Sequence, residues 1–314
     1  MAMSQSANEA SVRRSVLACP ASAPDMMAKA AAGDADQVVF DLEDGCALSQ
    51  KLPARKNLIE AFQELNFKGK IRTFRANALH TKFFYRDVIE VVEAAGANID
   101  SILLPKVESA ADVLFADRLL TQIDQNAGFE IGRIKLDVVI ETPRAVLHVE
   151  EIAAASARMA SLVFGVLDYS GALGARGPLR DQAAMYHYPR AKILAAARAA
   201  GIDAIDSVTL HVRDLEQCER DARLAAEMGF DGKWAIHPEQ VKIINRVFTP
   251  SEQELTRARE LLDAYQKADA ESGTGVFLYH DEMIDAASLI AERKKLAIAD
   301  RIAKIAGSAK IAKS

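Results

Sequence analysis

Cysteine is scarce in this chain. Cys19, Cys46 and Cys218 lie far apart without a CxxC pair, which excludes a disulfide framework and a zinc knuckle. Cys19 falls in an apolar run, where a free thiol serves as core packing. Long hydrophobic runs are missing as well: no stretch approaches the ~18–20 apolar residues of a membrane span. Residues 1–11 are small and polar, without the apolar segment of a secretory signal, and read as a disordered leader. A cytoplasmic location is therefore expected. Basic excess is absent too, with 39 Lys and Arg against 44 Asp and Glu for a net charge of −5. That balance argues against a nucleic-acid or membrane-surface partner but leaves room for a local basic patch around a phosphorylated ligand.

What is present is an alternation. Short strand-like runs at 15–19, 37–42, 70–74, 101–104, 136–140, 161–166, 204–208 and 233–236 are each followed by a helix-like segment. The helical partners span 24–32, 49–65, 83–95, 110–125, 145–155, 188–200, 215–228 and 239–247, with Pro24 and Ser49 at cap-compatible positions. Eight β/α pairs within residues 12–248 predict a (β/α)₈ barrel, an α/β TIM barrel. The longer link from Tyr169 to His187 is glycine-rich and suits an active-site loop. Residues 249–314 form a C-terminal helical extension. A charged helix runs to about Ala270, a Ser272-Gly273-Thr274-Gly275 break follows, then an extended 276–279 stretch and a last helix over about 284–305. The tail from Lys304 is expected to fray.

Three of the strand-like runs end in acids: Asp41, Glu43 and Asp44 after Phe40, Glu141 after Ile140, and Asp168 after Leu167. An unpaired buried charge is costly, so acids gathered at one end of a parallel barrel need a cation. Strand C-termini converge on the face where barrel enzymes do their chemistry. Glu43, Asp44, Arg75, Asn77, Lys106, Glu141, Asp168 and His237 are expected there. Glu141 and Asp168 suit Mg²⁺, with Mn²⁺ able to substitute, because zinc would call for the His and Cys that this pattern lacks. The plainer alternative pairs each acid with a Lys or Arg across the mouth. Glu43 and Asp44 would hold cation-bound water or simply interact with a helix dipole. Arg75 would stabilise an enolate or clamp a carboxylate, or else pair with Glu43 or Asp44. Lys106 would be a Schiff-base lysine only if it lost its proton, which the acids around it oppose. His237, before Pro238, would bind ligand or cap the last barrel helix.

These residues fall in motifs that resemble one family. Arg14-Ser15-x-Leu17 with Pro20, DLEDG at 41–45, FRAN at 74–77 and LPKVES at 104–109 come first. IET at 140–142, EIAAAS at 151–156, FGVLD at 164–168 and GKWAIHPEQV at 232–241 follow in order. The pattern is similar to the HpcH/HpaI aldolase and citrate lyase β-subunit-like family. YRDVIEVVE at 85–93, VFTPSE at 247–252 and Ile284-Asp285-Ala286-Ala287-Ser288 lean toward its malyl-CoA lyase branch. The resemblance implies a Mg²⁺-dependent carbon–carbon lyase that cleaves malyl-, β-methylmalyl- or citramalyl-CoA to an acyl-CoA plus glyoxylate or pyruvate. It implies Glu141 and Asp168 as metal ligands and Arg75 as a substrate contact. Lys29, Leu167, Ile236 and His237 would lie along the CoA path. Asp285 would be the acid/base donated by a neighbouring subunit of a homo-oligomer, a trimer or hexamer. A thioesterase or citryl lyase on the same scaffold is the alternative. Ala21, Ala23 and the run Arg75-Ala76-Asn77-Ala78-Leu79-His80-Thr81 depart from the branch pattern around the acyl group and the CoA phosphates, and leave the metal pair in place.

Overall fold

The computed structural model describes residues 12–177, 185–272 and 276–311. The leader at 1–11 and the break at 273–275 lie outside the described residues. Two compact units make up the chain, one of them Arg13–Phe248 and the other including Thr249–Ser314.

In the first unit eight parallel strands close a barrel in sequence order. They are β1 (Ser15–Pro20), β2 (Gln37–Asp41), β3 (Ile71–Arg75), β4 (Ser101–Leu104), β5 (Lys135–Ile140), β6 (Met159–Phe164), β7 (Asp203–Asp206) and β8 (Gly232–Ala235), with β8 pairing back onto β1. The expected TIM barrel is therefore what the chain forms. Around it run α1 (Pro24–Ala32), α2 (Lys51–Glu64), α3 (Phe84–Ala95), α4 (Ala110–Ala127), α5 (Pro143–Leu147), α6 (Val149–Ala153), α7 (Val166–Ala172), α8 (His187–Ala200), α9 (Leu215–Met228) and α10 (Pro238–Val247). Val38, Phe40, Phe74, Ile102, Val138 and Leu162 point outward into the main core under these helices. Strand residues one position away point into the lumen, because side chains alternate with period two.

That alternation stacks the lumen in layers. At the N-terminal end Asp137, without solvent exposure, accepts from Arg13, Gln37, Ser101 and Ser161 at 2.6–3.0 Å. Above it Val16, Val39, Leu103, Val139, Val163, Ile205 and Trp234 form an apolar plug. Two residues further along the strands, Asp41 follows Val39, Arg75 follows Thr73 and Glu141 follows Val139. The apolar plug thus raises charged side chains to the barrel mouth and closes the floor beneath them.

Several boundaries differ from the sequence expectation. The segment 145–155 is two short helices, because His148 leaves helical geometry (φ −108°, ψ 14°) between α5 and α6. Ser49 caps nothing, since a 3-10 turn over Leu48–Gln50 precedes α2. Strand β6 ends at Phe164, so Asp168 lies in the first turn of α7 rather than at a strand end.

The second unit has α11 (Glu252–Ser272), an antiparallel hairpin of β9 (Val276–Tyr279) and β10 (Glu282–Asp285), and α12 (Ser288–Ile311). Leu261, Ile284 and Leu289 pack as its small core. Ile284 and Asp285 are strand residues and the helix begins three residues later, which corrects the expected helix over 284–305. The tail from Lys304, expected to fray, is helical through Ile311. No helix among the described residues is long and apolar enough to cross a membrane.

Candidate active site at the barrel mouth

Four carboxylates converge on one ammonium at the C-terminal mouth. Lys106 Nζ hydrogen-bonds Asp168 Oδ1 and stands 3.7 Å from Asp44 and 3.9 Å from both Glu43 and Glu141. Lys106 follows β4 with a left-handed backbone (φ 52°), a conformation that non-glycine residues rarely hold without support. Glu141 supplies that support by accepting the Lys106 backbone N–H at 2.7 Å. Burial pushes the Glu141 carboxyl up to about 8, despite the Lys106 charge, and the Glu43 carboxyl up to about 7, despite Arg75. Burial alone would lower the Lys106 pKa, but Glu141 and its hydrogen bond to Asp168 raise it. A protonated lysine is no imine former, so the Schiff-base reading of Lys106 does not fit this environment.

Arg75 forms the second half of the site. Its Nε and Nη2 donate to the two oxygens of Asp41 at 2.7 and 2.6 Å, and Nη1 stands 3.0 Å from Glu43 Oε2. The guanidinium also lies over the Trp234 ring, 5.6 Å from its centroid. The ion-pair alternative named Glu43 or Asp44; the structure pairs Arg75 with Asp41 and Glu43. Burial opposes the Arg75 charge, yet Asp41 outweighs it and raises the pKa. Glu43 Oε2 remains buried without a hydrogen-bond donor.

A cavity of about 390 Å³ opens beside these groups, within the range of small-molecule sites. Asp41, Asp44, Arg75, Glu141 and Asp168 line its polar side, and Leu167, Val208, Leu210 and Ile236 line an apolar one. Of the expected CoA-path residues, Leu167 and Ile236 reach the cavity. Lys29 is exposed on α1 and His237 is exposed at the start of α10, and neither lines it. The Nδ1 of His237 accepts the Glu239 N–H at 3.2 Å, the capping role that was its alternative. Asn77 turns away, donating to Asp87 at 2.6 Å beside Arg55. Asp285 belongs to the other unit, where its Oδ1 accepts the Ser288 N–H and hydroxyl at 2.8 and 2.9 Å.

Sequence reasoning missed Asp41 as a site residue. It counted the acids beyond the strand end, whereas period-two alternation from Val39 marks Asp41 as the lumen-facing one.

The residues fit a hard divalent cation. Oxygen donors alone surround the convergence point, and a positive charge already sits there. Among the described residues no group of three or more His, Cys, Asp and Glu side chains forms a cage by itself. Mg²⁺ suits that arrangement, since it takes one or two carboxylates and completes its shell with water and substrate.

Comparison with known proteins places this geometry. The HpcH/HpaI aldolase/citrate lyase profile matches residues 14–238. The chain belongs to that family. It is 38% identical over 300 residues to an L-malyl-CoA/beta-methylmalyl-CoA lyase of Cereibacter sphaeroides, covering 91% of this chain and 94% of the relative. A citrate lyase subunit beta of Leuconostoc mesenteroides is 33% identical over 93% of this chain and 95% of its own. The crystal structure of protein CitE from Mycobacterium tuberculosis, in complex with magnesium, acetoacetate and coenzyme A, superposes with a TM-score of 0.73 at 32% identity. That match covers 93% of this chain and 98% of the other.

Proposed function

We propose that the chain is a Mg²⁺-dependent carbon–carbon lyase that reversibly cleaves a short 3-hydroxyacyl-CoA thioester, of the malyl-CoA or β-methylmalyl-CoA type, to an acyl-CoA and an oxo-acid. The observation that carries this reading is the convergence of Glu43, Asp44, Glu141 and Asp168 on one positive charge beside a buried, forked arginine. The relative named L-malyl-CoA/beta-methylmalyl-CoA lyase supports the acyl group, and the neighbour crystallised with magnesium and coenzyme A supports the cation and the thioester.

Glu141 and Asp168 would hold the cation, and Asp168 would exchange its Lys106 contact for it. The bound cation supplies Lewis-acid polarisation of the oxo-acid carbonyl. Arg75 presents its remaining N–H groups to the cavity, where they hold the oxygen that gains negative charge when the carbon–carbon bond breaks. The apolar wall of Leu167, Val208, Leu210 and Ile236 accommodates the acyl and pantetheine carbons and keeps water from the carbanion. Asp285 of a neighbouring copy would move the proton at the acyl-CoA α-carbon, which makes the working enzyme a homo-oligomer. Three buried free thiols support a reducing, cytoplasmic setting.

The test is product analysis. Incubation with malyl-CoA and β-methylmalyl-CoA should give intact acyl-CoA and free oxo-acid, trapped as a hydrazone and identified by mass spectrometry. Excess chelator should abolish both. Free CoA with a hydroxy-diacid and no oxo-acid would identify a thioesterase and overturn the proposal.

A further inference from the structure

Arg75 is not aimed by its own strand alone. We propose that Asp41 is a positioning residue for the lyase reaction, docking the Arg75 guanidinium edge-on so that its opposite edge faces the substrate. This inference rests on the Arg75 role given above.

Asp41 and Arg75 are register partners at the ends of β2 and β3, and both side chains face the lumen. Asp41 is fully engaged. Its Oδ1 accepts the Glu43 N–H and Arg75 Nε at 2.7 Å each, and its Oδ2 accepts the Gly45 N–H at 2.7 Å and Arg75 Nη2 at 2.6 Å. Two fixed backbone donors on one side therefore hold the carboxylate, and the carboxylate holds the guanidinium. Fork-to-fork pairing of this kind fixes direction as well as distance. Nε and one Nη2 hydrogen are engaged, and Nη1 stands 3.0 Å from Glu43 Oε2 without a hydrogen bond to it. The Nη1 hydrogens and the second Nη2 hydrogen of the five-donor group therefore remain to be taken up on the far edge. Arg75 lines the cavity.

The loop after β2 is built around this clamp. Lys51 Nζ donates to the carbonyls of Leu42 and Glu43 at 2.9 and 2.8 Å. Cys46 Sγ donates to the Asp41 carbonyl at 3.0 Å. Glycine at 45 leaves the carboxylate in place, because a Cβ there would lie 2.5 Å from Asp41 Oδ2. A carboxylate needed only to neutralise Arg75 requires none of this. Glu43 already lies at ion-pair distance and lacks a hydrogen-bond donor.

Asp41→Asn tests the proposal. The amide keeps the shape but, whichever way it flips, turns its donor toward one Arg75 N–H and one backbone N–H, that of Glu43 or that of Gly45. Turnover should fall ~10²-fold, the scale of an ångström-level misplacement, with KM for the CoA thioester changed less than ~3-fold. In the Arg75→Lys background, where no fork remains to aim, the same change should cost less than ~3-fold. Independent effects that multiply would overturn the proposal, and so would a wild-type turnover for Asp41→Asn. Gly45→Ala provides the second route, since it keeps every charge and displaces only the carboxylate. It should reproduce both the loss and its disappearance in the Arg75→Lys background, and wild-type turnover for it would also overturn the proposal. A near-wild-type Arg75→Lys single variant would instead defeat the role given to Arg75 itself, which the single variant reports separately.

Discussion

The substitution Gly165→Ala isolates the geometry of Glu141, the carboxylate proposed to hold the cation, from its chemistry. Gly165 directly follows β6, with φ −98°, so alanine meets no backbone penalty there. Space is the whole problem. An added Cβ would lie 2.5 Å from Glu141 Cβ, 2.8 Å from Glu141 Oε2 and 2.8 Å from Val139 Cγ1. Carbon atoms settle at ~3.5–4.0 Å, so about 1 Å of displacement must go somewhere. The β5–β6 ladder fixes both backbones through the pairing of Ile140 with Phe164, and Val139 belongs to the apolar plug. Rotating the Glu141 side chain cannot relieve a clash at its Cβ, so residue 141, one position past the ladder, must shift as a whole, and moving it strains its 2.7 Å bond to the Lys106 N–H. Overpacking of this size costs about 1–3 kcal/mol of stability. The affinity for Mn²⁺, followed by the loss of the free-ion electron paramagnetic resonance signal, should fall ~10–100-fold, the range for perturbed ligand orientation. Gly171→Ala is the control, because nothing lies within 4 Å of its Cβ position, and it should bind Mn²⁺ as the parent does. Parental Mn²⁺ affinity in Gly165→Ala would refute the placement of the cation at Glu141.

Arg75→Lys keeps the charge and loses the planar fork, so turnover should drop on the order of 10²-fold in steady-state assays. Asp41 contributes to acid stability: burial would raise its carboxyl pKa, but Arg75 and two backbone N–H groups hold it below the ordinary 3.8. That stabilisation is present above the unfolded value and is lost as pH falls through the folded one, so urea midpoints of Asp41→Asn should lose pH dependence on the acid side. The Ser288 backbone N–H and hydroxyl hold the Asp285 carboxyl below its ordinary value; Ser288→Ala removes the hydroxyl and should move the acid limb of kcat/KM to higher pH. Mixing inactive Asp285→Asn with inactive Asp168→Ala protein under subunit exchange should restore part of the activity if Asp285 serves a neighbouring copy. No recovery in mixed oligomers would place it in cis.

The barrel was legible because its strands are buried on both faces, which gives short apolar runs, and because each is followed by a helix-length segment. The site was legible only as far as chemistry tracks the strand end. Glu141 sits one residue beyond β5 and arrives where that rule puts it. Asp168 arrives too, but through the first turn of α7, since Gly165 ends the strand early to make room for Glu141. Asn77 and His237 show the limit of the rule: both occur just past a strand, yet local partners, Asp87 for one and the Glu239 N–H for the other, satisfy them away from the cavity. Asp285 carried no local signal, because a carboxylate ending a short hairpin strand and capping a helix looks structural from its neighbours. Asp41 is the instructive case. Its motif contains three acids, and proximity to the mouth favours Glu43 and Asp44, but Asp41 is the one that lies on β2 itself, in phase with Val39 and in register with Arg75 across the β2–β3 ladder. Alternation set by the apolar plug, more than distance along the chain, decides which acid of the motif takes the paired hydrogen bonds of the arginine fork.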